Sequence, residues 1–597
     1  VALLAVLLGW REIFGPDIGF QLAAGRNVLE HGFTLGDTLT WTVAGRPYLD
    51  LQWLWQIGVY GAYRALGTAG IVAVSVALTL GGMTLLALRS VRREGTLSAW
   101  LPLWLLLFVG ANLWEVRPHA ASWLLLGAVL WCLEEHRRGA RRAVWALPPL
   151  LLVWVNVHSL YVLGLVAIVL HAATTRERRE ARPLLLAGGL ALLACLVNPF
   201  GLQALLYPVR QLWEISRDSL FNRPDLGIAE FQSPWSLYHY TANGALTLVQ
   251  PILFLHLGMG VAILAAALGY RRLSLVDGLV LAAFGYTLWQ AEKNFGYFAV
   301  AAGPSIVTGL RGGVRRPRVE TTVAILVTCV CAVLALQVRS GWLYAHQRLP
   351  HHLGHAFNQN FLPERACAFL NAHVPQGKLL NAWDEGGYVA FATRRKTFVD
   401  ARTEVMGEEF FRAYLRLLDP ATLPYELPRW APEIVLAPIA EVPGWVSFFM
   451  AQPGWRLVYA DEQDFVFLRE GFAPEVLALR TPEVPPPPPE SRDRALARAI
   501  ALRNPSFLGT LHGTHHDPLV ELRWVASWLH RGQPAAALAS GLEGLERATL
   551  PAPRLLKNVM LALLQVGDVP RARRCYDALP PMLQDPRLGE NLRRGNT

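Results

Sequence analysis

Residues 14–33 read FGPDIGFQLAAGRNVLEHGF and follow an apolar run that begins at Val1. A carboxylate, Asp17, thus stands directly outside a first apolar segment, and what comes next is a short helix, not a second apolar run. Pro16-Asp17 is a helix start, with Asp17 as N-cap and Gly32 as the terminator. Ile18, Leu22 and Leu29 then share one face of that helix. What the acid does there depends on the other apolar segments and on which way they face.

Those segments set the class. Of 597 residues, 53% are hydrophobic and only 17% charged, and 21 are Trp; a soluble chain of this length needs more polar surface. Windows of roughly 17–22 apolar residues recur to about residue 338, each long enough for ~30 Å of hydrocarbon. We read eleven spans, near 1–14, 68–89, 97–114, 120–135, 143–156, 160–174, 183–197, 250–269, 275–290, 295–310 and 320–338. The net charge of +10 sits in alternate gaps, for example Arg92/Arg93, Arg137/Arg138/Arg141/Arg142 and Arg271/Arg272. That is the positive-inside pattern, so the basicity reports topology and says little about a polyanionic partner; no nucleic-acid partner is expected. It makes the N-terminus cytoplasmic and everything beyond about 339 extracytoplasmic, in a multi-pass protein of the cell (inner) membrane whose first span serves as an uncleaved anchor. The six Cys show no ligand spacing and no disulfide framework.

The expected fold class is therefore a polytopic α-helical membrane protein carrying an outer α/β domain and a C-terminal helical repeat-like domain. The membrane domain covers 1–338, with a first outer loop at 15–67 and a long outer loop at 198–249. The α/β domain covers 339–478, where KLLNAW, YVAFA, KTFVD, EIVLAP, WRLVYA and DFVFLRE read as short strands among amphipathic helices. Residues 479–491, with PPPPPE, form a stiff linker. From 492 to 597 the rhythm of helix, Gly-containing turn and helix resembles tetratricopeptide pairs, a surface suited to a protein partner.

Chemistry has to come from the outer loops. The first offers Asp17, Asp37 and Asp50, with Gln52 close behind. NLWEVRPHAAS puts Glu115, Arg117 and His119 at the top of two spans. WVNVHSLYVLG puts Asn156 and His158 in a tight turn, and WQAEKNFGYF brings Lys293 to the lip of another span. Ionisable groups so placed face a bundle interior or a wet cavity; the bland readings are solvated loop residues, or a Lys snorkelling to the headgroups. Farther on, WDEGGYVAF and FVDART offer Asp384, Asp400 and Arg402. The bland reading there is turn chemistry, with Gly386 and Gly387 permitting positive φ; the functional one is contact with an acceptor.

The stretch PDIGFQLAAGRNVLEHGF…GDTLTWTVAGRPYLDLQWL resembles the first outer loop of bacterial GT-C-type membrane glycosyltransferases. The resemblance continues in order through VRPHAASWLLL, LLLVWVNVHSLYVLG, NPFG, FGYFAVAAGP and LLNAWDEGGYVAF…KTFVDART, and so covers roughly residues 1–470. It implies a polyprenyl-phosphate sugar as donor substrate, in the lipid bilayer, and a glycan, lipid or protein acceptor. The position of Asp17 matches the acid that deprotonates the acceptor hydroxyl, a general-base step worth ~10²–10⁴-fold, with inversion at the anomeric carbon. Lys293 matches a basic position for the donor phosphate, with Arg117 second. His119, Asn156 and His158 line the cavity; Asp37, Asp50, Gln52, Glu115, Asp384, Asp400 and Arg402 are accessory candidates. The pattern departs at Gln52, where the resemblance implies an acid; Asp50 stands two positions earlier. A divalent cation on Asp17 and Asp50 stays open.

Two other classes compete. A transporter of lipid-linked substrates would also gather polar residues in a bundle, yet no inverted repeat is visible. A non-catalytic scaffold presenting its helical tail would tolerate Gln52.

Overall fold

The computed structural model describes residues 1–95, 115–214, 260–265, 267–313, 317–347, 352–480, 484–502, 504–516 and 518–594. The expected span at 97–114, most of that at 250–269 and residues 215–249 of the long loop lie outside the described residues. The chain divides into two compact units. One comprises Val1–Ile13, Ala24–Leu35 and Pro47–Ala335; the other comprises Phe14–Ala23, Gly36–Arg46 and Leu336–Thr597.

The first unit is helical. Its elements are α1 (Ala2–Gly9), α3 (Trp53–Glu94), α4 (His119–Arg137), α5 (Leu147–Val157), α6 (Val162–Thr174), α7 (Arg178–Ala194), α8 (Leu202–Glu214), α9 (Leu275–Gln290), α10 (Phe295–Gly313) and most of α11 (Pro317–Arg339). Helix α2 (Asp17–His31) contributes its C-terminal half. Helix α3 packs on α4, α10 rests on both and on α9, and α5 pairs with α7. Helix α3 starts at Trp53, not at 68, because Trp55, Gln56, Val59 and Tyr60 bury one face of an extra segment. Gly67, at φ 63° and ψ −151°, joins this segment to the apolar run in a conformation that only glycine takes cheaply.

Among the described residues two helices are long and apolar enough to cross a membrane, Trp53–Glu94 and Thr321–Arg339, with Ser159–Thr174 and Leu275–Gln290 as shorter apolar helices. Part of the shortfall against eleven expected spans has a geometric cause. A 3₁₀ turn at Arg141–Ala146 runs directly into α5; at ~2.0 Å and ~1.5 Å per residue the composite reaches roughly 28 Å, close to the hydrocarbon thickness.

Four charges tie the basic ends of these helices together. Arg89 and Arg93 both reach Glu134 Oε1, at 2.7 and 2.9 Å, and Arg93 Nη1 also reaches Asp277 Oδ1 at 2.6 Å. Ser274 and Ser305 hydroxyls donate to Asp277, and the Ser274 and Asp277 backbone amides complete the capping box of α9. Two guanidinium groups against two carboxylates leave no net buried charge, the condition under which such a group is tolerated.

The second unit holds a four-stranded sheet, order β1-β2-β4-β3, from β1 (Leu379–Leu380), β2 (Ile434–Pro438), β3 (Trp455–Ala460) and β4 (Asp464–Arg469). β1 runs parallel to β2, with Leu379 opposite Ile434, and the other pairs are antiparallel, with Ile434 opposite Leu468 and Leu457 opposite Phe467. The expected strand YVAFA is instead helix α14 (Gly386–Thr393), and KTFVD makes only one parallel bridge, Thr397 to Thr40. Neither Gly386 nor Gly387 has a positive φ. Their lack of side chain serves close packing: a Cβ on Gly19 of α2 would lie 2.1 Å from the Tyr388 nitrogen, and one on Gly387 2.7 Å from the Phe20 nitrogen. Around the sheet lie α12 (Trp342–Gln347), α13 (Glu364–His373), α15 (Thr403–Leu418), α16 (Leu423–Trp430) and α17 (Pro443–Ala451).

The tail adds α18 (Pro489–Ala501), α19 (Leu519–His530), α20 (Pro534–Arg547), α21 (Pro553–Gln565), α22 (Val569–Ala578) and α23 (Pro586–Arg594). Successive helices from α19 to α23 pack on one another around Val525, Leu538, Val559, Leu563 and Tyr576. Ser527 of α19 donates to the Asp461 carbonyl in the turn between β3 and β4.

Candidate functional site

In the first unit, five of the expected site residues, Glu115, Arg117, His119, His158 and Lys293, converge where α4 begins, where α5 turns into α6 and where α9 turns into α10. Arg117 is held by Glu115, Nε to Oε2 at 2.7 Å, just before the Pro118 that leads into α4. His119 opens α4, and its Nδ1 lies 2.7 Å from the Tyr297 hydroxyl. The His119 and His158 rings meet edge to face at 4.7 Å. His158 Nδ1 pairs with Ser122 Oγ at 2.8 Å, and Trp154 Nε1 donates to the same oxygen at 2.8 Å. Lys293, half-buried in the 3₁₀ turn Glu292–Asn294, acts electrostatically on both imidazoles, and Arg117 acts on His119. Burial first, then the His119 ring and the Lys293 ammonium, hold His158 well below the ordinary histidine range, so its ring is neutral at pH 7. The arrangement sets two permanent cations beside neutral imidazoles. It can attract a phosphate through those cations, with the Glu115 carboxylate offsetting one of the two charges.

Asn156, on the same turn, has its amide committed elsewhere: Oδ1 accepts from Trp53 Nε1, and Nδ2 donates to the Leu152 and Val197 carbonyls. Asp50 Oδ1 accepts from the Gln52 backbone and from Gln56 Nε2, which makes it a brace for the start of α3. Tyr297, Ser122 and Trp154 were not singled out from the sequence, although Tyr297 lies inside the NFGYF motif.

In the second unit, Asp17 is the first residue of α2, half-buried, two positions before the Gly19 contact. Asp37, Asp400 and Arg402 come together. Arg402 Nη2 reaches Asp37 Oδ1 and Asp400 Oδ2, each at 2.6 Å, and Arg402 Nε adds Asp400 Oδ1 at 2.9 Å. Asp37 also accepts from the backbone and hydroxyl of Thr40. The three side chains are 3% exposed or less, so the group joins the first loop to FVDART from inside the protein. Asp384 is half-buried before α14. Its neighbour Glu385, unread in the sequence, shares a hydrogen bond with Asp464, and burial followed by their mutual repulsion pushes Glu385 well above the carboxylate range.

Among the described residues no three His, Cys, Asp or Glu side chains group as metal ligands, and the Asp37, Asp50 and Asp400 carboxylates already serve the partners above.

No family model matches the chain, and no curated protein matches it. Solved structures do. An Archaeoglobus fulgidus oligosaccharyltransferase, AglB, in complex with an inhibitory peptide and a dolichol-phosphate, aligns with a TM-score of 0.54 at 11% identity, over 95% of this chain and 85% of that one. The same enzyme with Zn and sulfate gives 0.52 at 11% identity, over 95% and 86%. ArnT from Cupriavidus metallidurans bound to undecaprenyl phosphate gives 0.45 at 14% identity, over 78% and 95%. The chain shares its fold with the archaeal oligosaccharyltransferase.

Proposed function

We propose that the protein is an integral inner-membrane glycosyltransferase that moves a sugar from a polyprenyl-phosphate donor to an extracytoplasmic acceptor hydroxyl with inversion. The observation that carries this reading is the Arg117–His119–His158–Lys293 group on a fold shared, over 95% of the chain, with an enzyme solved with dolichol-phosphate. Lys293, with Arg117, holds the donor phosphate. Asp17 accepts the acceptor's hydroxyl proton as its oxygen bonds to the anomeric carbon; the bond from that carbon to the phosphate oxygen breaks on the opposite face. Polyprenyl phosphate leaves with the electron pair and needs no proton, so one carboxylate suffices. Asp37, Asp400 and Arg402 position the first loop, and Asp50 and Gln52 brace α3. The helical tail, read as tetratricopeptide-like, belongs to the extracytoplasmic side in this reading.

The test uses the intact protein in lipid, incubated with radiolabelled polyprenyl-phosphate sugars and membrane extract. Transfer by wild type that falls ~10²-fold or more in Asp17→Asn, with equal thermal stability, supports the assignment. Equal transfer by both proteins removes Asp17 as base and returns it to the helix start.

A further inference from the structure

We propose that the tail carries a binding site for a neutral oligosaccharide, in the groove between α19 and α20. Val520, Trp524 and Trp528 fall at i, i+4 and i+8 on α19, one face of that helix, and Ser540, Glu543 and Arg547 line the facing side of α20. The groove has a volume of about 300 Å³, at the lower end of the ~300–1,000 Å³ usual for small-ligand sites.

Its chemistry is specific in kind. The indoles of Trp524 and Trp528 are stacked, centroids 5.8 Å apart and planes 25° from parallel. The Arg531 guanidinium stands 4.2 Å from the Trp528 ring centre, a cation–π contact that fixes the ring. Both indoles are only half-buried and line the groove, Trp528 packing in part against the tail's core. The exposed part of this aromatic pair thus borders the groove in a fixed geometry. Beside them stand hydrogen-bonding groups that already neutralise one another: Arg547 bonds Glu543 at 2.6 Å and lies 3.7 Å from Glu521, and His516 reaches Glu521 at 3.4 Å.

A pyranose ring presents one face of C–H groups and a rim of hydroxyls. Aromatic faces suit the first; carboxylates, a guanidinium and the Ser540 hydroxyl suit the second, accepting or donating without a net field. A charged peptide would need one sign to dominate, and the groove holds both. This inference stands on the tail alone and does not depend on which residue is the catalytic base.

The experiment is saturation-transfer NMR and calorimetry on the full protein in nanodiscs, with maltohexaose, mannohexaose and N-acetylchitotetraose as probes. Oligogalacturonate, a basic decapeptide and an acidic decapeptide complete the set. We expect at least one neutral sugar to bind with a Kd of about 1 mM or tighter. Trp524→Ala should weaken it about tenfold or more. Glu543→Gln, at an exposed position that leaves packing unaltered, should weaken it severalfold and guards against a folding artefact in the Trp variant. Three results overturn the proposal: none of the neutral sugars binds, binding persists unchanged in both variants, or a peptide binds the groove in their place. Transfer activity towards a simple acceptor is measured in parallel, so loss of sugar binding with intact transfer separates this site from the catalytic one.

Discussion

Replacing Arg402 by Met removes a cation that two buried carboxylates share. The guanidinium makes contacts at 2.6 Å to Asp37 and at 2.6 and 2.9 Å to Asp400, and all three side chains are nearly inaccessible. With it the group carries one net negative charge; without it, two, in a place water does not reach. Breaking a buried pair from one side costs about 3–5 kcal/mol, a large share of the ~5–15 kcal/mol that holds a typical domain. The reporter is built in. The Trp41 amide donates to the Thr397 carbonyl and the Thr397 amide to the Leu39 carbonyl, so hydrogen exchange at these amides reads local opening. Protection in Arg402→Met should fall by about 10²- to 10⁴-fold. Adding Asp37→Asn and Asp400→Asn removes the stranded charges and should restore a substantial part. A drop smaller than tenfold in the single variant would refute the reasoning, because the ion group would then be an ornament on contacts that suffice alone.

Three further outcomes are expected. Gly19→Ala should destabilise the second unit by about 1–3 kcal/mol or abolish folding, since its Cβ would meet backbone at 2.1 Å; a melt within one degree of wild type would contradict the contact. Asp464 is pushed up to about 8, by burial first and then by Asp461. The folded state therefore keeps a proton that the unfolded chain gives up near pH 4, and stability falls as pH rises through the window from about 4 to 8, by up to ~1.4 kcal/mol per pH unit. Asp464→Asn should flatten that slope, and an unchanged pH–stability curve would count against the shared proton. Lys293→Gln should raise KM for a polyprenyl-phosphate donor by about 10- to 100-fold with a smaller change in kcat; a change confined to kcat would move Lys293 away from ground-state phosphate binding.

The sequence made some of this legible. Strands EIVLAP, WRLVYA and DFVFLRE lie where alternation and β-branching put them, and α2 ends at His31, with Gly32 at φ 83°, as a glycine terminator requires. YVAFA misled because a short apolar run buried on all sides carries no period that separates strand from helix. The glycines before it were read as turn makers, but a close approach between backbones leaves the same residue as a positive φ does. Lys293, Arg117 and the two histidines were visible as polar residues at apolar borders. Their partners Tyr297, Ser122 and Trp154 were not, since a hydroxyl or an indole within an apolar run looks like packing. Asp37 and Arg402 were each visible, but nothing local links residues 365 positions apart.

The division of the first loop sets an order of events during synthesis. Phe14–Ala23 and Gly36–Arg46 belong to the unit completed by Leu336–Thr597. At ~5–20 residues per second, Asp37 leaves the ribosome roughly 20–70 s before Arg402. For that interval the loop's carboxylate and its Gly19 face lack the surfaces they are cut to fit, while the intervening helices are still being made. The second unit is therefore completed last, when the C-terminal chain arrives to meet a loop delivered at the start. A C-terminal fragment expressed alone would lack Asp37 and the α2 face, and a gene split after Ala335 would have to bring them back from the other piece.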